Sequence, residues 1–400
     1  MKLDDRIFPS THLHYGQTSR SGTPVNELQS SDFHERCRQI LDTAGIRING
    51  SHPWDIQVHH DQFYARVLGE GSLGLGESYM DGWWDCEALD QFFYRIFQAR
   101  LDEQALTWKD GLTALKARFI NAQNISRSFK VGRHHYDLGN DLYRSMLDDR
   151  MIYSCGYWKN AATLDDAQEA KLDLICRKLE LQPSMRMLDI GCGWGGMAAY
   201  AAEKYGVSVV GITVSKEQAR FARYRCRKLP VTIELKDYRE LSGSFDRIVS
   251  IGMFEHVGHK NYRTFMEHHK NLLTDDGLAL LHTIGRNKSG TTVDKWISRY
   301  IFPNSMLPSA RQITAAAEGQ VVIEDWHNFG PDYDITLMHW FENFDRNYDL
   351  LLRETYDRRF YRMWKYYLLS CAGSFRARKN HVWQIVLSPA GYSGRYDAPR

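Results

Sequence analysis

Three short stretches of the chain combine residue types and spacings that could do chemistry. The first is Leu188-Asp189-Ile190-Gly191-Cys192-Gly193-Trp194-Gly195-Gly196, at a point where a strand pattern turns into a helix pattern. Glycines at 191 and 193 let the backbone pass close to a ligand, and Gly196 permits tight packing of helix on strand. The same glycines satisfy the dinucleotide fingerprint GxGxxG, so by themselves they choose no ligand, and a bare glycine turn is also compatible. The second stretch is Gly252-Met253-Phe254-Glu255-His256-Val257-Gly258, and the third is Leu281-His282-Thr283-Ile284-Gly285. A carboxylate and imidazoles are the groups of proton transfer. Each of them alone reads as a structural polar residue. Placed at two successive strand ends they point to a site, because open α/β sheets bind ligands beyond the carboxyl ends of their strands.

Asp189 narrows the cofactor. In class I methyltransferases an acid beside the first glycine organises the loop around the methionine ammonium of S-adenosylmethionine, whereas a nicotinamide enzyme presents a helix N-terminus to a pyrophosphate. The next strand end, Gly211-Ile212-Thr213-Val214-Ser215, lacks the acid that usually accepts from the ribose hydroxyls, which counts against a nicotinamide cofactor. Thr213 and Gln218 are the nearest polar groups for the ribose or the methionine carboxylate. After the third strand, Asp237-Tyr238 could meet the adenine amino group and ring, or Asp237 could simply cap the strand end.

Positioning such residues requires a doubly wound α/β sheet, and the pattern from about residue 165 supplies one. Strands are expected at Met187–Ile190, Val207–Ile212, Val231–Leu235, Phe245–Ser250 and Leu278–Thr283. Helices are expected at Trp194–Tyr205, Lys216–Leu229 and Tyr262–Leu273. Residues 286–318 form an insertion of the kind that roofs an active site. Val321–Trp326, two helices near 334–354 and 357–377, and Trp383–Leu387 follow. Ahead of this catalytic region (134–400), the spacing predicts a flexible arm over 1–30 and a small, mainly helical domain over 31–108. Within that domain, glycines 69, 71, 74 and 76 read as a turn-rich stretch, and Leu89–Phe97 as an amphipathic helix. The segment 109–133 sets Lys109, Lys116, Arg118, Arg127, Lys130 and Arg133 against one acid, Asp110, with apolar residues interleaved. It reads either as a solvated linker helix or as a basic surface for anionic lipid headgroups.

Composition excludes several classes. A formal net charge of +2 over 400 residues does not point to nucleic acid. Seven cysteines without a CxxC pair argue for free thiols in a reducing, cytoplasmic compartment and give no zinc spacing. No apolar run is long enough to span a bilayer.

The motifs taken together resemble those of the cyclopropane-fatty-acyl-phospholipid synthases and, more distantly, the mycolic acid cyclopropane synthases, from about residue 32 to 388. The resemblance rests on His134-His135-Tyr136-Asp137-Leu138-Gly139-Asn140-Asp141, Met151-Ile152-Tyr153-Ser154-Cys155-Gly156-Tyr157-Trp158, the 188–196 loop, GMFEHVG, LHTIG, Ile301-Phe302-Pro303-Asn304 and Phe329-Gly330-Pro331-Asp332-Tyr333. It implies methylene transfer from S-adenosylmethionine to a double bond, with bicarbonate as base. The bicarbonate would be held by side chains matching Cys155, Glu255, His282 and Tyr333 and by the backbone of Ile284. It further implies that Tyr153 and Ser154 lie over the methionine part of the cofactor, that His135 and Tyr136 close the same side, and that the protein is a homodimer peripherally bound at the inner face of the cell membrane. An alkene offers Cys155 no electrophilic carbon, so the thiol is expected as a pocket wall and weak donor. Alternative readings are a small-molecule N- or C-methyltransferase, a non-catalytic membrane-binding protein and, more distantly, a nicotinamide oxidoreductase.

Overall fold

The computed structural model describes residues 25–104 and 139–400. Most of the expected arm, the basic segment 109–133, and His135 and Tyr136 lie outside the described residues. The first helix, α1 (Val25–Asp42), begins inside the stretch expected to be an arm. It leads through β1 (Gln57–Val58) to α2 (Gln62–Glu70), α3 (Ser72–Met80), β2 (Trp84–Asp85), α4 (Leu89–Gln98) and α5 (Leu101–Gln104). The expected turn-rich stretch at 69–76 is therefore wrong: it is two helices joined at Gly71, which has φ +62°. Glycine is a poor helix former, but tertiary packing demands it here. A Cβ on Gly76 would sit 2.3 Å from the Trp296 ring, and one on Gly74 would sit 2.5 Å from the Arg66 carbonyl oxygen.

The second part of the chain runs α6 (Asn140–Met146), α7 (Leu164–Lys178), β3 (Arg186–Ile190), α8 (Gly196–Tyr205), β4 (Ser208–Thr213), α9 (Lys216–Arg225), β5 (Val231–Leu235), β6 (Phe245–Ile251), α10 (Tyr262–Leu272) and β7 (Leu273–Arg286). It continues with α11 (Lys295–Tyr300), α12 (Ala310–Ala317), β8 (Val322–Asn328), α13 (Pro331–Asn347), α14 (Arg358–Arg376) and β9 (Asn380–Ser388). The seven-stranded sheet has the order β5-β4-β3-β6-β7-β9-β8. The first five strands are parallel, as the alternation predicts, but β9 is antiparallel to both neighbours. The reason is the connection: α13 and α14 pack on each other, so the chain leaves β8 and returns to the same end of the sheet. There the Phe329 N–H donates to the Val382 carbonyl oxygen at 3.1 Å.

One apolar core joins the two parts. Phe63, Trp84, Phe92 and Phe93 from the N-terminal helices pack in the same cluster as Trp340, Trp364, Tyr366 and Phe375 from α13 and α14. Arg376 ties the seam by donating to Asp90 at 2.6 Å and to Asp334 at 2.8 Å. The insertion after β7 joins the same seam, since Trp296 on α11 covers Gly76 and Tyr300 donates to Glu77 at 2.8 Å. None of the described helices is long and apolar enough to cross a membrane.

Candidate active site

A cavity of about 180 Å³ opens at the carboxyl ends of β3, β4, β5 and β6. The β3–α8 turn forms its floor. Gly191 and Gly193 take φ of +85° and +54°, a conformation that side chains disfavour, so the sequence can make this turn only with glycine there. Asp189, Thr213, Gln218, Asp237, Tyr238, Tyr153 and Ser154 all line the cavity, so every described residue expected at the cofactor is brought to it.

Asp189 is buried, and its Oδ2 has no hydrogen-bond partner within the protein. Burial raises its carboxyl to about 7. A buried acceptor left without a donor is costly, and an ammonium group is the partner that would satisfy it. Thr213 donates to Gln218 Oε1 at 2.9 Å, and the Ser215 N–H donates to Thr213 Oγ1 at 3.2 Å. With its oxygen occupied, Gln218 offers its amide donor, which suits a carboxylate better than a ribose hydroxyl. Asp237 does cap the strand end, accepting from the Arg239 backbone at 3.0 Å, and it is also gripped by the Arg239 guanidinium at 2.8 Å on each oxygen.

None of the reaction residues Cys155, Glu255, His282, Ile284 and Tyr333 is among the described residues that line this cavity. Ser154 and His256 line it, and Cys155 and Glu255 are their chain neighbours. Glu255 sits on a single turn after β6, and its Oε1 accepts the Ile284 N–H at 2.6 Å. The Ile284 backbone donor, expected to hold an anion, is thus given to Glu255. Glu255 Oε2 is buried with no partner in the protein, and burial lifts the carboxyl to about 7. His282 lies two residues before Ile284 on β7, hence on the same side of the sheet. The Gln384 side-chain amide on β9 lies 3.4 Å from the His282 Nδ1. Burial holds His282 well below its ordinary value, and the cations Lys171 and Lys178 add to that, so the ring is neutral.

Tyr333 stands in the first turn of α13, packed on Phe375 with ring centroids 4.7 Å apart. The same helix fixes the Cys155 loop: the Gly156 N–H donates to Thr336 Oγ1 at 3.1 Å and the Trp158 N–H to Asp332 at 2.7 Å. Phe329, two residues before α13, makes an edge contact with the His282 ring at 5.7 Å and another with Tyr157 at 5.5 Å. Burial pushes the Cys155 thiol well above its ordinary range, so it stays protonated and is a poor nucleophile.

Several contributors escape a reading of motifs. Gln168 and Lys171, both fully buried on α7, fasten the loop that carries Tyr153, Ser154 and Cys155. Trp340 stacks beneath Tyr153 at 5.1 Å, and Tyr367 shares a 2.8 Å hydroxyl contact with it. A signal for α7 does exist: Gln168, Lys171, Leu172 and Ile175 fall at i, i+3, i+4 and i+7, placing the two polar residues on the apolar face.

The sheet order, the glycine turn and the cavity define a class I S-adenosylmethionine-dependent methyltransferase. The chain belongs to the mycolic acid cyclopropane synthetase family, whose sequence model matches residues 123–385. It is 53% identical over 371 residues to the cyclopropane-fatty-acyl-phospholipid synthase of Escherichia coli (strain K12), covering 92% of this chain and 97% of that one. The structure of the cyclopropane synthase MmaA2 from Mycobacterium tuberculosis superposes with a TM-score of 0.62 at 32% identity, covering 65% of this chain and 97% of that one. Mycolic acid cyclopropane synthase CmaA1, complexed with SAH and CTAB, gives 0.60 at 35% identity with the same coverage. The nicotinamide and non-enzymatic readings are set aside by this membership.

Proposed function

We propose that the protein transfers a methylene group from S-adenosylmethionine to the cis double bond of acyl chains in membrane phospholipids, closing a cyclopropane ring. It would act as a homodimer on the inner surface of the cell membrane. The π bond attacks the sulfonium methyl carbon as the carbon–sulfur bond breaks, which leaves S-adenosylhomocysteine and a carbocation. Loss of a proton from the new methyl group then supplies the electron pair that closes the ring. Bicarbonate bound beside Glu255 would supply the base for that proton.

The observation that carries this reading is the paired state of Glu255. One oxygen is fixed by the Ile284 N–H, and the other is buried without a partner. A carboxylate so arranged accepts from a hydroxyl, which bicarbonate has and which carbonate lacks. Neutral His282 and Tyr333 offer donors to the remaining oxygens, and the protonated Cys155 thiol is a weak one. Aromatic rings nearby, among them Phe329, favour a developing cation, and burial excludes water that would trap it.

The test is incubation of the protein with vesicles of unsaturated phospholipid and methyl-labelled S-adenosylmethionine, in buffer depleted of bicarbonate and then resupplied. The expected result is stable label in acyl chains as a ring, with a rate that rises on resupply. Label in no lipid would overturn the reading as a whole. Label that is indifferent to bicarbonate would overturn the choice of base.

A further inference from the structure

Lys171 is a buried cation that the reaction scheme does not use. It lies in the second turn of α7, a helix held in place by a capping box in which Thr163 and Asp166 each satisfy the other's backbone N–H. Its side chain is fully buried, and its Nζ donates to Ser154 Oγ at 2.8 Å. One turn earlier on the same face, Gln168 Nε2 donates to the Ser154 carbonyl oxygen at 2.8 Å. Two side chains of α7 therefore hold one cavity-lining residue, one by its backbone and one by its hydroxyl. Three acidic or weakly acidic groups surround the ammonium: Asp148, Asp189 and the Cys155 thiol. Asp148 is committed elsewhere, accepting from the N–H groups of Ile152 at 2.7 Å and Arg150 at 3.0 Å.

A serine hydroxyl has one hydrogen to give. An ammonium only donates, so at this contact Ser154 Oγ accepts and its own hydrogen is left for another acceptor. Ser154 lines the cofactor cavity. We propose that Lys171 is a positioning residue: by occupying the Ser154 oxygen it turns the serine proton into the cavity, toward the carboxylate of the methionine part of S-adenosylmethionine. This rests on the cofactor assignment above and goes beyond it by giving the buried lysine a task. Charge adds to geometry, because an ammonium polarises the hydroxyl and makes it a stronger donor.

A lysine that merely balanced Asp148 would behave differently, and a double-mutant cycle separates the two. Calorimetric titration would measure S-adenosylhomocysteine binding to the full chain and to Lys171→Met, Ser154→Ala and the double variant. A parallel titration would use 5′-methylthioadenosine, which lacks the amino-acid end. The expected result is about a tenfold loss of S-adenosylhomocysteine affinity in each single variant, no further loss in the double variant, and unchanged 5′-methylthioadenosine binding throughout. Additive losses, or equal losses for both ligands, would overturn the proposal. Should Lys171→Met not fold, Lys171→Gln completes the same cycle and is judged by the same coupling. Absence of S-adenosylhomocysteine binding by the unaltered protein would refute the cofactor assignment instead, so the two failures are distinct.

Discussion

Glu255 and Cys155 show how burial divides labour between neighbouring groups. The Glu255 carboxyl moves from 4.5 to about 7 because burial penalises its charge more than the Ile284 N–H stabilises it. The native state therefore holds this proton more tightly than the unfolded chain does. Stability from that preference is fully present below pH 4.5 and is lost as pH rises through about 7. Glu255→Gln cannot ionise, so its melting temperature should exceed that of the unaltered protein at pH 8 and match it below pH 4.5. Its ring-forming rate should fall by roughly a hundredfold or more, because the bicarbonate that Glu255 holds is the proton-transfer group and such groups are usually worth that much. Scanning calorimetry at both pH values and lipid mass spectrometry check this; equal melting at pH 8 would mean that the carboxylate carries no burial cost. Cys155 moves in the same direction, since burial keeps its thiol neutral. Cys155→Ser should retain most activity, and a loss as deep as that of Glu255→Gln would show that the sulfur does more than line the pocket.

At the scale of elements, the inference from sequence succeeds where a local pattern and the fold agree. The strands β3 to β7 and the β3–α8 glycine turn are legible because β-branched runs and positive-φ glycines have one natural reading. Gly76 is misread as a turn residue because its reason for being glycine lies 220 residues away in the sequence, in the Trp296 ring, and Gly74 because its neighbour is the Arg66 carbonyl oxygen of the preceding helix. Gln384, which contacts the His282 ring, is hidden in the same way: it reaches the site only because β9 inserts antiparallel beside β7. The α3 packing makes a direct prediction. Gly76→Ala overpacks the Trp296 contact, a change that costs about 1–3 kcal/mol and lowers the melting temperature by roughly 2–10 °C. Gly69→Ala, on exposed α2 surface with no atom within 4 Å of the added carbon, should be neutral or slightly stabilising. Thermal melts of both, with Gly76→Ala also made in a Trp296→Leu background, check the assignment. Failure of the smaller residue to recover any stability would show that the ring is not the obstacle.

The whole molecule has to bring a nearly neutral protein to a lipid surface and still keep a dry site. Its total charge of +2 gives little long-range attraction, so any pull toward anionic lipid must come from local clustering. The family match begins only at residue 123, and the helices before it share one apolar core with α13 and α14, the elements that carry Tyr333 and Tyr367. The segment 109–133, between the two parts in the sequence, sets six lysines and arginines against one acid. Each lysine or arginine near an anionic headgroup contributes about 1 kcal/mol, so Lys116→Gln with Arg118→Gln should weaken sedimentation with phosphatidylglycerol vesicles about tenfold or more. Binding to phosphatidylcholine vesicles, where no such charge exists, should change little. S-adenosylhomocysteine affinity should hold while the rate on anionic vesicles falls and recovers at saturating lipid. Unchanged sedimentation would assign 109–133 to a solvated linker and move the membrane contact to another surface. A parallel loss of cofactor affinity would place the segment at the cavity instead.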